Sequence, residues 1–140
     1  MPGTPPYVEL HAHSAYSCLD GTSLPLELIA RAGELGHTAL GLTDHDSLAG
    51  AMELAMAARD SSAGDTTVRA IFGAEVTVET PAATQGGGYR HLTLLVRDGQ
   101  GWRNLCRLLT RAHADTRDTV SLDPRSGSRV EVLAGREAES

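Results

Sequence analysis

Apolar positions along the chain alternate between short continuous runs and stripes of helical spacing. Tyr7-Val8-Glu9-Leu10 reads as a short strand leading into His11, after a flexible lead over residues 1 to 6. Leu24, Leu28, Ile29, Ala32 and Leu35 then recur at the spacing of one helix face. Ser23 is the expected N-cap, Pro25 is tolerated in the first turn, and Gly36 supplies the stop. Thr38-Ala39-Leu40-Gly41-Leu42 is a second strand, expected to be buried on both faces. Leu48, Ala51, Met52, Ala55 and Ala58 form another helical stripe, followed by a polar loop from Ser61 to Thr66. A third strand lies within Val68 to Val78 and is expected to end near Gly73-Ala74-Glu75-Val76. A loop with a Gly-Gly-Gly run covers 80 to 88, and His91 opens a fourth strand reaching Val96. Trp102, Leu105, Cys106, Leu109 and Ala112 make a third helical stripe.

The resulting order is β-α-β-α-β-β-α, which implies an α/β fold with mainly parallel strands and right-handed crossovers. After His113 the pattern fades. Residues 115 to 129 are polar and loop-like, and Val130 to Leu133 make one short strand. The domain organisation expected is a metal-binding domain over 1–114 and a polar tail or remnant over 115–140. A closed parallel barrel needs about eight strands, so the sheet is either open or part of a longer domain.

Composition narrows the function classes. Hydrophobic residues make up 41% and charged residues 21% of the 140, ordinary for a soluble globular chain. Aromatic residues are only 4%, so Leu, Val, Ile and Ala must build the core. The formal net charge of −6 lacks the basic balance of an autonomous nucleic-acid binder. Tight nucleic-acid binding by the isolated chain is therefore not expected, although membership in a larger nucleic-acid enzyme stays open. Cys18 and Cys106 are far apart and read as two reduced thiols of a cytoplasmic protein. The first residues lack the basic and apolar regions of a secretory leader, and no run approaches the ~20 apolar residues of a membrane span.

The chemistry-bearing residues gather at predicted strand ends. His11 and His13 are two apart, and on a strand such residues point to one face, so both imidazoles can converge on one ion. Taken alone, the pair equally describes two surface histidines. Thr43-Asp44-His45-Asp46 follows the second strand, where polar groups are costly without partners. Asp44 or Asp46 has the alternative of capping the helix near Leu48, a task that does not need His45. Glu75 alone is a solvated glutamate, His91 alone a half-buried histidine, and Asp20, before Gly21, a turn residue. Together, four successive strand ends each carry a histidine or carboxylate. Mixed imidazole and carboxylate donors favour Zn, Mn or Fe over Ca or Mg. Bridged ions about 3.5–4 Å apart can activate water and clamp a phosphate ester. His37, in a loop, and His113, at a helix end, read as structural or solvated.

Glu9-Leu10-His11-Ala12-His13-Ser14, Asp20-Gly21, Leu42-Thr43-Asp44-His45-Asp46 and Phe72-Gly73-Ala74-Glu75, in that order, resemble the PHP (polymerase and histidinol phosphatase) superfamily. The resemblance implies a partial, distorted β/α barrel with a cluster of up to three metal ions. It makes His11 and His13 ligands of one ion. Glu75 bridges to a second ion that His91 also binds, and His45 and Asp20 hold a third. Asp44 and Asp46 are supporting residues.

His91-Leu92-Thr93-Leu94-Leu95, with Gly101-Trp102-Arg103-Asn104-Leu105-Cys106-Arg107-Leu108-Leu109 and Ala112-His113, is similar to the amino-terminal domain of bacterial C-family DNA polymerase alpha subunits, above all the error-prone repair branch. This implies a setting in DNA replication, translesion synthesis and repair, with DNA and other polymerase subunits as partners of the full-length protein. The departures are specific. The family expects a later histidine and a closing Asp-x-His, and no histidine follows His113. The polymerase carboxylates are also missing, so polymerisation by this chain alone is not expected. Val130 to Gly135 resembles the family's next strand, which fits a deletion or a shortened product. The competing expectations are a stand-alone phosphoesterase related to histidinol phosphatase and a non-catalytic, metal-stabilised module.

Overall fold

The computed structural model describes residues 7–61, 67–79, 89–114, 120–122 and 129–131. The expected lead over 1–6, the loops over 62–66 and 80–88, and most of the expected tail lie outside these residues.

The chain forms two compact units, 1–106 and 107–140. In the first, strand β1 (Glu9–Ala12) is followed by α1 (Pro25–Glu34), β2 (Ala39–Leu42), α2 (Ala51–Ser61), β3 (Arg69–Glu79) and β4 (Tyr89–Leu95). Helix α3 (Gly99–Ala112) runs across the boundary between the units. The sheet order is β1-β2-β3-β4. The first two pairings are parallel and the third is antiparallel. This mixed sheet with helical crossovers is the mainly parallel α/β pattern expected from the alternation of periods. The second unit contains an antiparallel pair, β5 (Val120–Leu122) with β6 (Arg129–Glu131).

Strand β2 sits between β1 and β3, and all four of its residues are buried, as its uninterrupted apolar run requires. Leu40 and Leu42 join Ile29, Ala32, Leu54, Ala58 and Val68 in the core between the sheet and its helices. Small alanines recur on the helix faces here, which lets α1 and α2 lie close together. Gly36 takes φ 74° just after the C-cap Leu35, the left-handed stop expected of it.

Several local expectations need correction. The N-cap of α1 is Leu24, not Ser23. Pro25 fixes the first helical residue, and Glu27 reaches back to accept the Leu24 amide at 2.8 Å. The Ser23 carbonyl instead accepts the Ala15 amide at 2.8 Å. On α2 the buried face is Ala51, Leu54 and Ala58, while Met52 is 72% exposed. Spacing alone could not choose between two adjacent apolar stripes of one helix. Strand β5 falls inside the stretch expected to be a loop, because β6 provides the pairing that a three-residue strand cannot supply itself. Finally, β3 does not end near Glu75. It runs on to Glu79, because β4 takes over as its partner where β2 stops.

Gly73 marks that change of partner. A Cβ there would meet the Leu94 carbonyl oxygen at 2.4 Å and Thr43 Cγ2 at 2.9 Å. The first of these is backbone and cannot swing aside. Gly73→Ala is therefore expected to destabilise the fold by about 1–3 kcal/mol, the usual cost of overpacking. Thermal melts of the two proteins check this, and an unchanged melting curve would show that β3 and β4 separate freely.

Candidate metal centre

Glu75 lies at the middle of β3 and is only 5% exposed. A carboxylate so buried is stable only with partners. Its partners come from three parts of the sheet. Nε2 of His11, on β1, contacts Glu75 Oε2, and Nε2 of His13, just past the end of β1, stands 2.9 Å from the same oxygen. Nδ1 of His91, on β4, stands 2.6 Å from Oε1. The β3–β4 register pairs Glu75 with Thr93 and Thr77 with His91. Residues two apart share a face, so His91 is the diagonal neighbour of Glu75 on one side of the sheet.

His11 and His13 reach Glu75 across β2. The β1–β2 register pairs Glu9 with Leu40 but Ala12 with Leu42, so one extra residue of β1 lies between the two pairs. Such an irregularity re-aims side chains at a strand end. His11 and His13 meet edge to face, with ring centroids 5.1 Å apart.

His45 arrives from the end of β2. Past Leu42 the chain stays beside β3 through an isolated parallel bridge between His45 and Glu75. The Glu75 amide donates to the Asp44 carbonyl at 3.2 Å, and the Asp46 amide to the Glu75 carbonyl at 2.8 Å. The His45 ring lies edge-on to that of His91, with centroids 4.5 Å apart.

Two donor groups result: His11, His13 and Glu75, and His45, Glu75 and His91. In each, the ligand atoms lie within 4.8 Å of one another, and Glu75 belongs to both. Two imidazole nitrogens facing one carboxylate oxygen is a donor set that fits a divalent cation. The resemblance grouped His45 with Asp20. In the structure His45 stands with Glu75 and His91, while Asp20 is exposed and in neither group.

The two supporting aspartates do different work. Asp44, 1% exposed, accepts from the Ser14 amide at 2.7 Å, from Ser14 Oγ and from Ser17 Oγ. It anchors the loop after His13 rather than capping α2. Asp46 accepts from the Thr77 amide at 2.8 Å and from Thr77 Oγ1 at 2.6 Å. Ser17 Oγ in turn accepts the His45 amide at 2.8 Å. Ser14, Ser17 and Thr77 escape a reading based on ligand types. The only signal is the pair of serines three apart directly after the histidine pair.

A model of the PHP domain matches residues 9–137. The chain belongs to the PHP-domain family. The match runs on through most of the segment expected to be a separate tail. Error-prone DNA polymerases of Mycobacterium tuberculosis are 48% identical over 109 residues, 76% of this PHP domain chain and 10% of theirs. That of Cutibacterium acnes is 42% identical over 111 residues, 77% of this chain and 9% of its own. The chain therefore spans about a tenth of the length of these curated relatives. Among solved structures, a protein assigned as a metal-dependent phosphoesterase from Bifidobacterium adolescentis superposes with a TM-score of 0.59 at 22% identity, covering 79% of this chain and 34% of that one. An amidohydrolase from Chromobacterium violaceum, solved with sulfate and no metal, gives 0.57 at 30% identity, covering 78% and 34%. The PHP fold, as a partial α/β barrel, accounts for the mixed four-stranded sheet. Among the described residues no helix is long and apolar enough to cross a membrane.

Electrostatics supply a test of the centre without metal. Burial pushes the Glu75 carboxyl up, but the hydrogen bonds and charges of His11 and His13 outweigh it and hold it below its ordinary value. A carboxyl depressed by folding contributes stability that is complete above its unfolded pKa and is lost as pH falls through the folded one. In chelator-treated protein, Glu75→Gln is therefore expected to flatten the acid limb of stability against pH. Denaturant melts across the carboxylate range check this, and parallel acid limbs in the two proteins would overturn it.

Proposed function

We propose that the chain is the PHP domain of an error-prone DNA polymerase alpha subunit and carries a partial metal site of phosphoesterase type. The observation behind the metal reading is Glu75, a buried carboxylate shared by two histidine groups. The 48% identity to error-prone polymerases supports the polymerase setting. On this reading the full-length protein is a cytoplasmic nucleotidyltransferase of DNA replication and repair, with DNA and other polymerase subunits as partners. Residues 1–114 supply the metal-bearing part of the domain and 115–140 are a polar tail or a remnant of it. With a net charge of −6, these 140 residues bind nucleic acid weakly by themselves.

His11 and His13 would hold one ion, Glu75 would bridge to another, and His91 and His45 would complete the second group. Asp20, from the exposed loop, would add a carboxylate. Imidazole with carboxylate favours Zn, Mn or Fe. Bound there, such ions supply Lewis acidity and an activated water for phosphate-ester hydrolysis. The protein's part is to hold three strands in register so that the imidazoles face one carboxylate. Metal analysis of purified protein tests the reading. Wild type is expected to carry transition metal, and the His11→Ala/His13→Ala double variant to lose most of it. Chelator is expected to lower the melting temperature of wild type only, because ions bound to the folded state stabilise it. Equal metal in both proteins would sink the proposal.

A second reading, a stand-alone phosphoesterase, draws on the description of the Bifidobacterium neighbour. The family resemblance implies further ligands, a later histidine and a closing Asp-x-His, and no histidine follows His113 in these 140 residues. The 140 residues are therefore expected to hydrolyse a generic phosphate ester slowly or not at all. Metal-dependent turnover at roughly 1–1000 per second, abolished by Glu75→Gln, would instead establish the stand-alone enzyme.

A further inference from the structure

The tie between the end of β2 and β3 has a third member made by side chains. Beyond the two backbone bonds at Glu75, Asp46 takes over the ladder with its carboxylate. Asp46 holds φ 49°, in the left-handed region that residues other than glycine enter at a cost. In that conformation one carboxylate oxygen, Oδ1, accepts the Thr77 amide at 2.8 Å, and the other, Oδ2, accepts the Thr77 hydroxyl at 2.6 Å. Oδ2 also stands 3.0 Å from Nδ1 of His45. Thr77 Oγ1 lies 3.5 Å from the same nitrogen.

An ionised carboxylate only accepts hydrogen bonds. The Thr77 hydroxyl, having given its proton to Oδ2, offers only lone pairs to His45. Both oxygens facing Nδ1 are therefore acceptors, and the proton of a neutral His45 ring belongs on Nδ1. The lone pair then lies on Nε2. We propose that Asp46 and Thr77 are positioning residues that hold His45 as its Nδ1–H tautomer and so reserve Nε2 for a divalent cation shared with Glu75 and His91. Thr77 also pairs with His91 across β3–β4, so one threonine stands beside both histidines of this group. The inference rests on the metal-binding reading above and adds which nitrogen of His45 is available and what sets it.

The Asp46→Asn variant separates the two. The Thr77 amide must keep an acceptor, so the carbonyl of the new side-chain amide takes the place of Oδ1 and its NH2 falls where Oδ2 was. That NH2 faces His45 Nδ1 as a donor and forces the proton to Nε2. Nitrogen-15 NMR of histidine-labelled, metal-free protein near pH 8.5, about two units above the usual imidazole pKa, reads the tautomer directly. Cobalt titration followed by visible absorption reads the affinity. Wild type is expected to show His45 as Nδ1–H. Asp46→Asn is expected to show Nε2–H and to bind one class of cobalt about 10–100-fold more weakly, the usual loss for a partner behind a metal ligand. Thr77→Val is expected to weaken cobalt binding, and Thr77→Ser to restore it. An Nε2–H tautomer in wild type, with cobalt bound, overturns the positioning role while leaving the metal reading intact. The expected tautomer with no cobalt bound by wild type overturns the metal reading, and the cation part of this inference with it. Equal losses in Thr77→Val and Thr77→Ser, tracking a lower melting temperature, reduce Thr77 to a fold residue and overturn the proposal as well.

Discussion

A carboxylate in the middle of a sheet must be neutralised, and the architecture of the first unit follows from how this is done for Glu75. Left alone it would cost several kcal/mol at this burial. Instead each of its two oxygens faces imidazole, from β1 on one side and β4 on the other. This arrangement demands that strands far apart in sequence hold fixed register. His11 and Glu75 are 64 positions apart and touch only because β2 lies between their strands in parallel pairing. Buried charge thus acts here as a specification of register more than as a source of stability, since such pairs seldom outperform an apolar core.

The anchoring around the centre follows a single rule: polar groups at the strand ends are spent on holding one another. Asp44 is fully engaged by Ser14 and Ser17, which fixes the turn that leaves His13. Ser17 also takes the His45 amide, so the loop after β1 and the loop after β2 share one hydroxyl. Gly21 allows the loop to close, since a Cβ there would meet the Ser14 carbonyl oxygen at 2.1 Å. No buried side-chain polar atom among the described residues lacks a partner. These two loops are held by side-chain bonds as the strands are by their ladders, which is what a rigid ligand set needs.

Much of this was legible in the residue pattern. Alternating periods give the order of elements, and histidines or carboxylates directly after apolar runs mark His11, His13, His45 and Glu75 as one face of chemistry. What was not legible depends on pairing rather than on type. The extra residue in β1 is a property of its register against β2. The length of β3 depends on β4 replacing β2 as partner, which Val76-Thr77-Val78 does not announce. Thr77 looks like any strand threonine until Asp46 is seen opposite it. Asp20 is the reverse case: its residue type and position fit the family pattern, yet the described geometry leaves it on an exposed loop.

The antiparallel pairing of β4 with β3 fixes one side of the centre. A crossover helix between β3 and β4 would have made the fourth strand parallel, with a different register against Glu75. The antiparallel register instead places His91 diagonal to Glu75, past the point where β2 stops pairing with β3. An apolar groove of about 960 Å³ lies between α2 and the first turns of α3. Met52, exposed on α2, lines it together with Phe72 and Trp102, whose rings meet edge to face at 5.7 Å. Met52 and Ala55 border this groove while Leu54 and Ala58 enter the core, which is why spacing alone offers two apolar stripes on α2.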